Sequence, residues 1–174
     1  MKTTDTFVWL AAIVFYAGPC MPASASETFS AKVLSVIDGD TLKISAAGKR
    51  ETVILQGIDC PELTQDYGPE AKRFTEAVCS GKMINVECNG RDRHGRTIVT
   101  VYLSDGVNLN QELVKRGLAW WSDKFAPNDS ALKALHSAAK NGHAGLWSKN
   151  NPIPPWIFRN GSKSVEAKIQ PKAE

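Results

Sequence analysis

Apolar and polar positions change period several times along the chain, and each change marks an element. From Thr28 to Ile37 the apolar residues alternate loosely and run into Asp38-Gly39, after which Thr41 to Ser45 reads as the partner strand of a hairpin. Ala46-Ala47-Gly48-Lys49 predicts the next turn, and Glu51 to Ile58 is β-branched and apolar enough for a third, largely buried strand. The period then lengthens. Tyr67-Gly68-Pro69-Glu70 predicts a helix start, with Pro69 in the first turn, Glu70 favourable to the helix dipole, Phe74 and Val78 on one face, and a stop near Ser80-Gly81. Met83 to Cys88 and Thr97 to Leu103 return to strand character on either side of a polar, charged connection from Asn89 to Gly95. Asn108 or Asn110 caps a short helix stopped by Gly117, and Asn128 or Asp129 caps another whose Leu132, Leu135 and Ala139 keep helical spacing as far as Asn141-Gly142.

The resulting order, βββαββαα, predicts an α+β, mainly β domain: a five-stranded OB-fold barrel with three helices, the first inserted between strands three and four. The domain is expected over residues 26–147. The proline-rich segment 148–159, containing NPIPPW, is expected to lie extended against it, and residues 160–174 to form a disordered tail. Ahead of the domain, residues 1–25 pair Lys2 with an apolar run from Phe7 to Ala17 and an Ala23-Ser24-Ala25 site. That pattern predicts a secretory signal peptide cleaved near Ala25, and hence a secreted or periplasmic protein. The apolar run is too short for a comfortable membrane span, so no stable membrane association is expected after cleavage.

Composition changes this picture little. With 174 residues, 43% of them hydrophobic, the chain suits one domain with a real core, and a monomer is expected. A net charge of +3 permits a polyanionic partner without demanding one. Signal removal would take Cys20 and leave Cys60, Cys79 and Cys88, of which Cys79 and Cys88 are the favoured disulfide pair and three small buried hydrophobes the alternative. Zinc is not expected, because no C-x-x-C or Cys/His pair stands at zinc-site spacing.

Candidate chemistry gathers between Val36 and Glu62. VIDGDT and GIDCPE each read as a strand ending in a polar cluster, so Asp40 and Asp59 can converge on one hard cation with Glu62 beside them. Taken alone, Asp38-Gly39 also reads as a hairpin turn and Asp59-Cys60-Pro61 as a loop exit. Downstream, Arg91, Arg93 and Arg96 crowd around Asp92. Phosphodiester hydrolysis needs an aligned water, a proton acceptor and cations on the phosphoryl oxygens; Glu62, a divalent ion at Asp40/Asp59 and Arg96 could supply them. The plainer roles are a loop or capping acid for Glu62 and a surface ion pair with Asp92 for Arg96.

VIDGDT, GIDCPE, YGPEA, DRHGR and GLA, in that order from about Val33 to Trp147, resemble the staphylococcal nuclease family, and the NPIPPW segment resembles an extension of some secreted bacterial members. The resemblance implies an OB-fold phosphodiesterase that depends on one calcium ion and acts on DNA and RNA, single-stranded or locally opened, yielding 3′-phosphates. It implies Asp40, Asp59 and the main-chain carbonyl of Cys60 as metal ligands, Glu62 as general base, and Arg96 as one of two phosphate-binding arginines.

The second arginine is missing. Five residues before Asp59, where the family pattern has it, stands Ile54. Loss of a preorganised donor costs on the order of 10²–10³ in rate, so the chain is expected to be slower or to recruit a substitute such as Arg50, Arg93 or Lys49. Base stacking would fall to Trp120, Trp121, Tyr67 or His94, although a Trp pair beside GLA also suits a core. The competing function is a catalytically silent OB-fold module that binds nucleic acid or protein. A purely structural envelope protein accounts for none of these spacings.

Overall fold

Five rows of alternating side chains turn their apolar halves inward and close on themselves. In the computed structural model, which describes residues 28–161, these rows are β1 (Thr28–Val36), β2 (Thr41–Ala46), β3 (Lys49–Leu55), β5 (Met83–Arg91) and β6 (Thr97–Tyr102). They form a closed barrel in the order β1-β2-β3-β6-β5. All neighbours are antiparallel except β3 and β6. The expected signal peptide and the tail beyond Gly161 lie outside the described residues.

The interior is filled by Ala31, Val33 and Val36 of β1, Leu42 and Ile44 of β2, Val53 and Leu55 of β3, Ile84 and Val86 of β5, and Val99 and Val101 of β6. A register shift between Val33 and Ser35 breaks the alternation of β1 and returns Val36 to the inside. Full burial of such side chains contributes about 1.5–3 kcal/mol each.

Helix α1 (Gly68–Cys79) packs on β1, while α2 (Leu109–Lys115) and α3 (Ser130–Asn141) pack on each other. Asn108 and Asp129 supply the N-caps, accepting from the N–H groups of Gln111 and Leu132. Asn110, the alternative cap, is buried. Its Oδ1 accepts from the Val101 N–H at 3.1 Å, and its Nδ2 donates to the carbonyls of Gln56 at 3.0 Å and Val99 at 3.2 Å. It thus serves backbone groups at the β3–β6 junction, where the Val99 carbonyl also accepts from the Gln56 N–H at 2.8 Å.

Two features lie beyond the predicted order. Two-residue strands β4 (Ile58–Asp59) and β7 (Trp120–Trp121) form an antiparallel ladder outside the barrel, and a 3-10 turn covers Gly145–Ser148. The expectation of an extended 148–159 segment is corrected as well. The chain runs without regular structure over 152–154, but 155–161 is helical and is called α4 here. Pro155 occupies its first position, where a missing N–H costs nothing, and the Pro154 carbonyl accepts from Ile157 and Phe158. The tail expectation loses residues 160 and 161 to this helix.

The favoured Cys79–Cys88 bridge is absent. Cys60, Cys79 and Cys88 are all free thiols. Cys79 ends α1 near the start of β5 and donates to the Thr75 carbonyl at 2.9 Å, whereas Cys88 lies five strand residues beyond Met83, about 17 Å at the usual rise. A disulfide tolerates a Cα separation of only about 7 Å.

Candidate active site

At the mouth of the barrel the chain leaves β1 through Ile37-Asp38-Gly39 and enters β2 at Thr41. Asp38 shapes this turn by accepting from the N–H groups of Asp40 at 3.1 Å and Thr41 at 2.8 Å, an Asx turn that places Asp40 as the last residue before β2. Gly39 is required by close approach. A Cβ there would stand 2.7 Å from both Cβ and Sγ of Cys60 and 2.8 Å from Cβ of Ala71. The Gly39 carbonyl accepts from the buried Thr75 hydroxyl at 2.7 Å, so α1 clamps the turn from behind.

β4 presents Asp59 beside this turn. The Cys60 N–H donates to Asp40 Oδ2 at 2.6 Å, joining GIDCPE to VIDGDT. Glu62 follows on a loop fixed by its own N–H donating to Gln65 Oε1 at 2.8 Å. Gly68 lets α1 start directly against the Glu62 carbonyl, where any Cβ would collide. Tyr67 just before it takes a left-handed φ of 68°, a conformation uncommon for a residue with a side chain.

The acids are costly neighbours. Burial and then the Asp38 charge push the Asp40 carboxyl well above its ordinary value, with Asp59 adding to the effect. Burial also raises Asp59; Arg159 opposes that rise, while Glu62 and Asp38 reinforce it. Cys60 is driven well upward by burial and by Asp40, Asp38 and Asp59, so it stays a neutral thiol and offers no thiolate to a soft metal. The side-chain oxygens that a hard cation could meet here are those of Asp40 and Asp59; among the described residues no group of three or more His, Cys, Asp or Glu side chains is placed to hold a metal ion.

Asp40, Asp59, Cys60 and Glu62 thus lie together at the barrel mouth. Arg96 does not join them. Its guanidinium pairs with Asp92 at 2.8 Å through Nε, and its N–H donates to the same carboxylate. Burial works the other way, but these hydrogen bonds and that from the His94 N–H hold Asp92 below its ordinary value. Arg96 immediately precedes β6, whose Ile98 is paired with Ile54.

The residue that sequence reasoning missed is Arg159. It donates through Nη1 to Asp59 Oδ1 at 3.1 Å and to Glu62 Oε1 at 2.7 Å, and through Nη2 to Asp59 Oδ2 at 2.7 Å. Its hydrogen bonds to Asp59 and then to Glu62 raise its pKa further above its already high ordinary value. The signal was Pro155 followed by Trp156 and Arg159 at i, i+3 spacing. It is obscured because proline-rich NPIPPW suggests extended chain.

The tryptophans have structural work. Trp120 packs against Trp147, Trp156 and His136, with ring centroids 4.4, 5.6 and 6.1 Å away. Trp121 donates through Nε1 to the Ala126 carbonyl at 3.0 Å.

A family profile described as staphylococcal nuclease homologue matches residues 52–149. An uncharacterized endonuclease of Escherichia coli is 38% identical over 129 residues, 74% of this chain and 84% of that protein. An uncharacterized endonuclease of Haemophilus influenzae is 33% identical over 144 residues, 82% of this chain and 80% of that protein. The micrococcal nuclease of Shigella flexneri is 29% identical over 146 residues, covering 79% and 84%.

Proposed function

The chain belongs to the staphylococcal nuclease family and is a nuclease, a hydrolase of phosphodiester bonds; on that premise we propose a calcium-dependent, sugar-nonspecific endonuclease that cuts single-stranded or locally opened DNA and RNA to 3′-phosphates. The observation that carries this reading is the 2.6 Å hydrogen bond from the Cys60 N–H to Asp40. It locks together the two loops that carry Asp40, Asp59, Cys60 and Glu62.

The residues fit one calcium ion. Burial first, and neighbouring acids second, raise Asp40 and Asp59, so a positive charge placed there would favour their ionised form, and the site offers hard oxygen donors beside a neutral thiol. Asp40, Asp59 and the Cys60 carbonyl would hold it. Bound there, calcium supplies fixed positive charge against a phosphoryl oxygen.

Glu62 takes the proton of the attacking water as the water oxygen bonds to phosphorus. The bond to the 5′-oxygen breaks, that oxygen takes a proton from solvent, and a 3′-phosphate remains. Arg96 turns from Asp92 to the phosphate, where a guanidinium donates two parallel hydrogen bonds that strengthen as charge develops. Its present i,i+4 pair is solvent-exposed, and such pairs add little and are readily exchanged. Export through the N-terminal signal, with cleavage near Ala25, and action as a monomer without stable membrane association belong to the same proposal.

A silent binding module is the second reading, favoured by Arg159 on both Asp59 and Glu62 and by Ile54. The two separate when mature protein is incubated with single-stranded DNA in calcium or in EDTA. The enzyme reading expects strand shortening in calcium only, reduced by roughly 10²-fold or more in Glu62→Gln, the scale of a general-base contribution. Binding without cleavage, unchanged in that variant, overturns it.

A further inference from the structure

Position 54 is aliphatic, and the substitutes closest in sequence stay elsewhere. Arg50 pairs with Ser45 and Lys49 with Ala46 at the far end of β3, about 13 Å from Ile54 at the usual strand rise for Arg50. Arg93 lies against His94. Among the described residues, the cation in contact with Asp59 and Glu62 is Arg159.

We propose that Arg159 is the second phosphate-binding guanidinium of this site, delivered by α4 in place of the one that Ile54 lacks. The assignment rests on the nuclease reading of the Asp59/Glu62 site.

Three observations carry it. The segment bearing Arg159 is tethered over the acid loop at several points. Lys149 pairs with Asp66 at 3.5 Å, Tyr67 and Ser148 share a hydrogen bond of 2.9 Å, and Gln65 Nε2 donates to the Ile153 carbonyl at 3.0 Å. Trp156 then packs on Trp120, the residue directly opposite Asp59 in the β4–β7 ladder, and Arg159 follows one helical turn later. The guanidinium is consequently aimed, not merely nearby.

Its contacts have the right shape. Two parallel N–H donors grip both oxygens of Asp59, the same fork that grips two oxygens of a phosphate. A third hydrogen bond reaches Glu62. If Glu62 is to serve a water attacking phosphorus, the phosphate must come within a few ångströms of Glu62, which is where this guanidinium already stands. Arg159 here neutralises Asp59. Were a cation to take the Asp59 oxygens, the fork would be left beside Glu62, on a segment still tethered to the acid loop, where it could receive a phosphate.

The test compares wild type, Arg159→Ala and Arg159→Lys, each checked for unchanged thermal unfolding. Affinity for a short single-stranded oligonucleotide in calcium is measured in Glu62→Gln and in Glu62→Gln/Arg159→Ala, so that no turnover is needed. Expected are a loss of oligonucleotide affinity of about tenfold and a fall in kcat of about 10²-fold in Arg159→Ala. Arg159→Lys is expected to recover only part, because an ammonium lacks the planar fork. Arg159→Ala is also expected to bind calcium several-fold more tightly by calorimetry. Placing an arginine at position 54, as Ile54→Arg/Arg159→Ala, should regain at least tenfold of the lost rate. Arg159→Ala cleaving as fast as wild type, or faster, would make the guanidinium a plug and overturn the assignment. Should wild type cleave nothing, the endonuclease reading falls by itself, and the binding comparison still decides Arg159: equal affinities overturn it.

Discussion

Trp156 meets Trp120 edge-on, with ring centroids 5.6 Å apart and planes inclined at 74°, and Trp120 is the cross-strand partner of Asp59. One aromatic contact therefore ties the C-terminal helix to the acid loop. Such a pair is worth about 0.5–1.5 kcal/mol beyond its buried area. Trp156→Ala is expected to lower Tm by only ~2–4 °C, while amide exchange across 155–161 accelerates far more than exchange in the barrel strands. The comparison is made by hydrogen exchange with mass spectrometry. Uniform acceleration in the barrel would contradict a local tether.

Asp40 is half-buried among acids, and burial with the Asp38 charge raises its pKa. A carboxyl whose folded pKa is raised contributes stability below its unfolded value and loses it as pH rises through the folded one. At neutral pH the charge is therefore a cost. Asp40→Asn keeps an oxygen that can accept from the Cys60 N–H and removes that cost, so Tm in calcium-free buffer at pH 7 should rise by ~2–4 °C. The same variant should lose the stabilisation that calcium gives wild type. Thermal unfolding with and without calcium reads both effects, and a lower Tm in calcium-free buffer would show the carboxylate to be a net asset to the fold.

His136 sets an opposite dependence. Its Nδ1 accepts from the Trp121 N–H at 3.3 Å, and its ring lies 4.9 Å from that of Trp147. Burial first, then Lys140, depress its pKa below 6.5. The folded chain holds the neutral ring while the unfolded chain takes up a proton near pH 6.5, so this contribution is present above that pH and declines as pH falls toward the folded pKa. Urea unfolding at pH 7 and pH 5 should show His136→Gln losing less stability over that interval than wild type. An identical loss would remove His136 from the account.

Asn110 should be the most sensitive buried polar residue of α2. Asn110→Ala takes the acceptor from the Val101 N–H and the side-chain donor from the Gln56 carbonyl, while the Val99 carbonyl keeps the Gln56 N–H. At about 1–3 kcal/mol for each buried group left unpaired, a loss of roughly 2–4 kcal/mol is expected from denaturant unfolding. A loss below ~1 kcal/mol would mean that water replaces the amide.

The sequence by itself determined the barrel and half of the site. Alternation from Val33 to Val101 specifies inward rows, since reversing any strand would expose its whole apolar face. The acids follow because Asp40, Asp59 and Glu62 sit within a residue or two of strand ends or turns, where local rules place them. The positions of the caps were equally local, to within the pairs Asn108 or Asn110 and Asn128 or Asp129. What tertiary structure decided depends on contacts between distant segments. Whether Asn108 or Asn110 caps α2 turns on which is buried at the β3–β6 junction. Cys79 and Cys88 are close in sequence but separated by the length of a strand. Arg96 bonds to Asp92 four residues away, while Arg159 crosses 100 residues to Asp59. No local pattern reports such a pairing. It exists because two tryptophans, Trp120 and Trp156, find each other in the fold and carry a guanidinium to clustered negative charge.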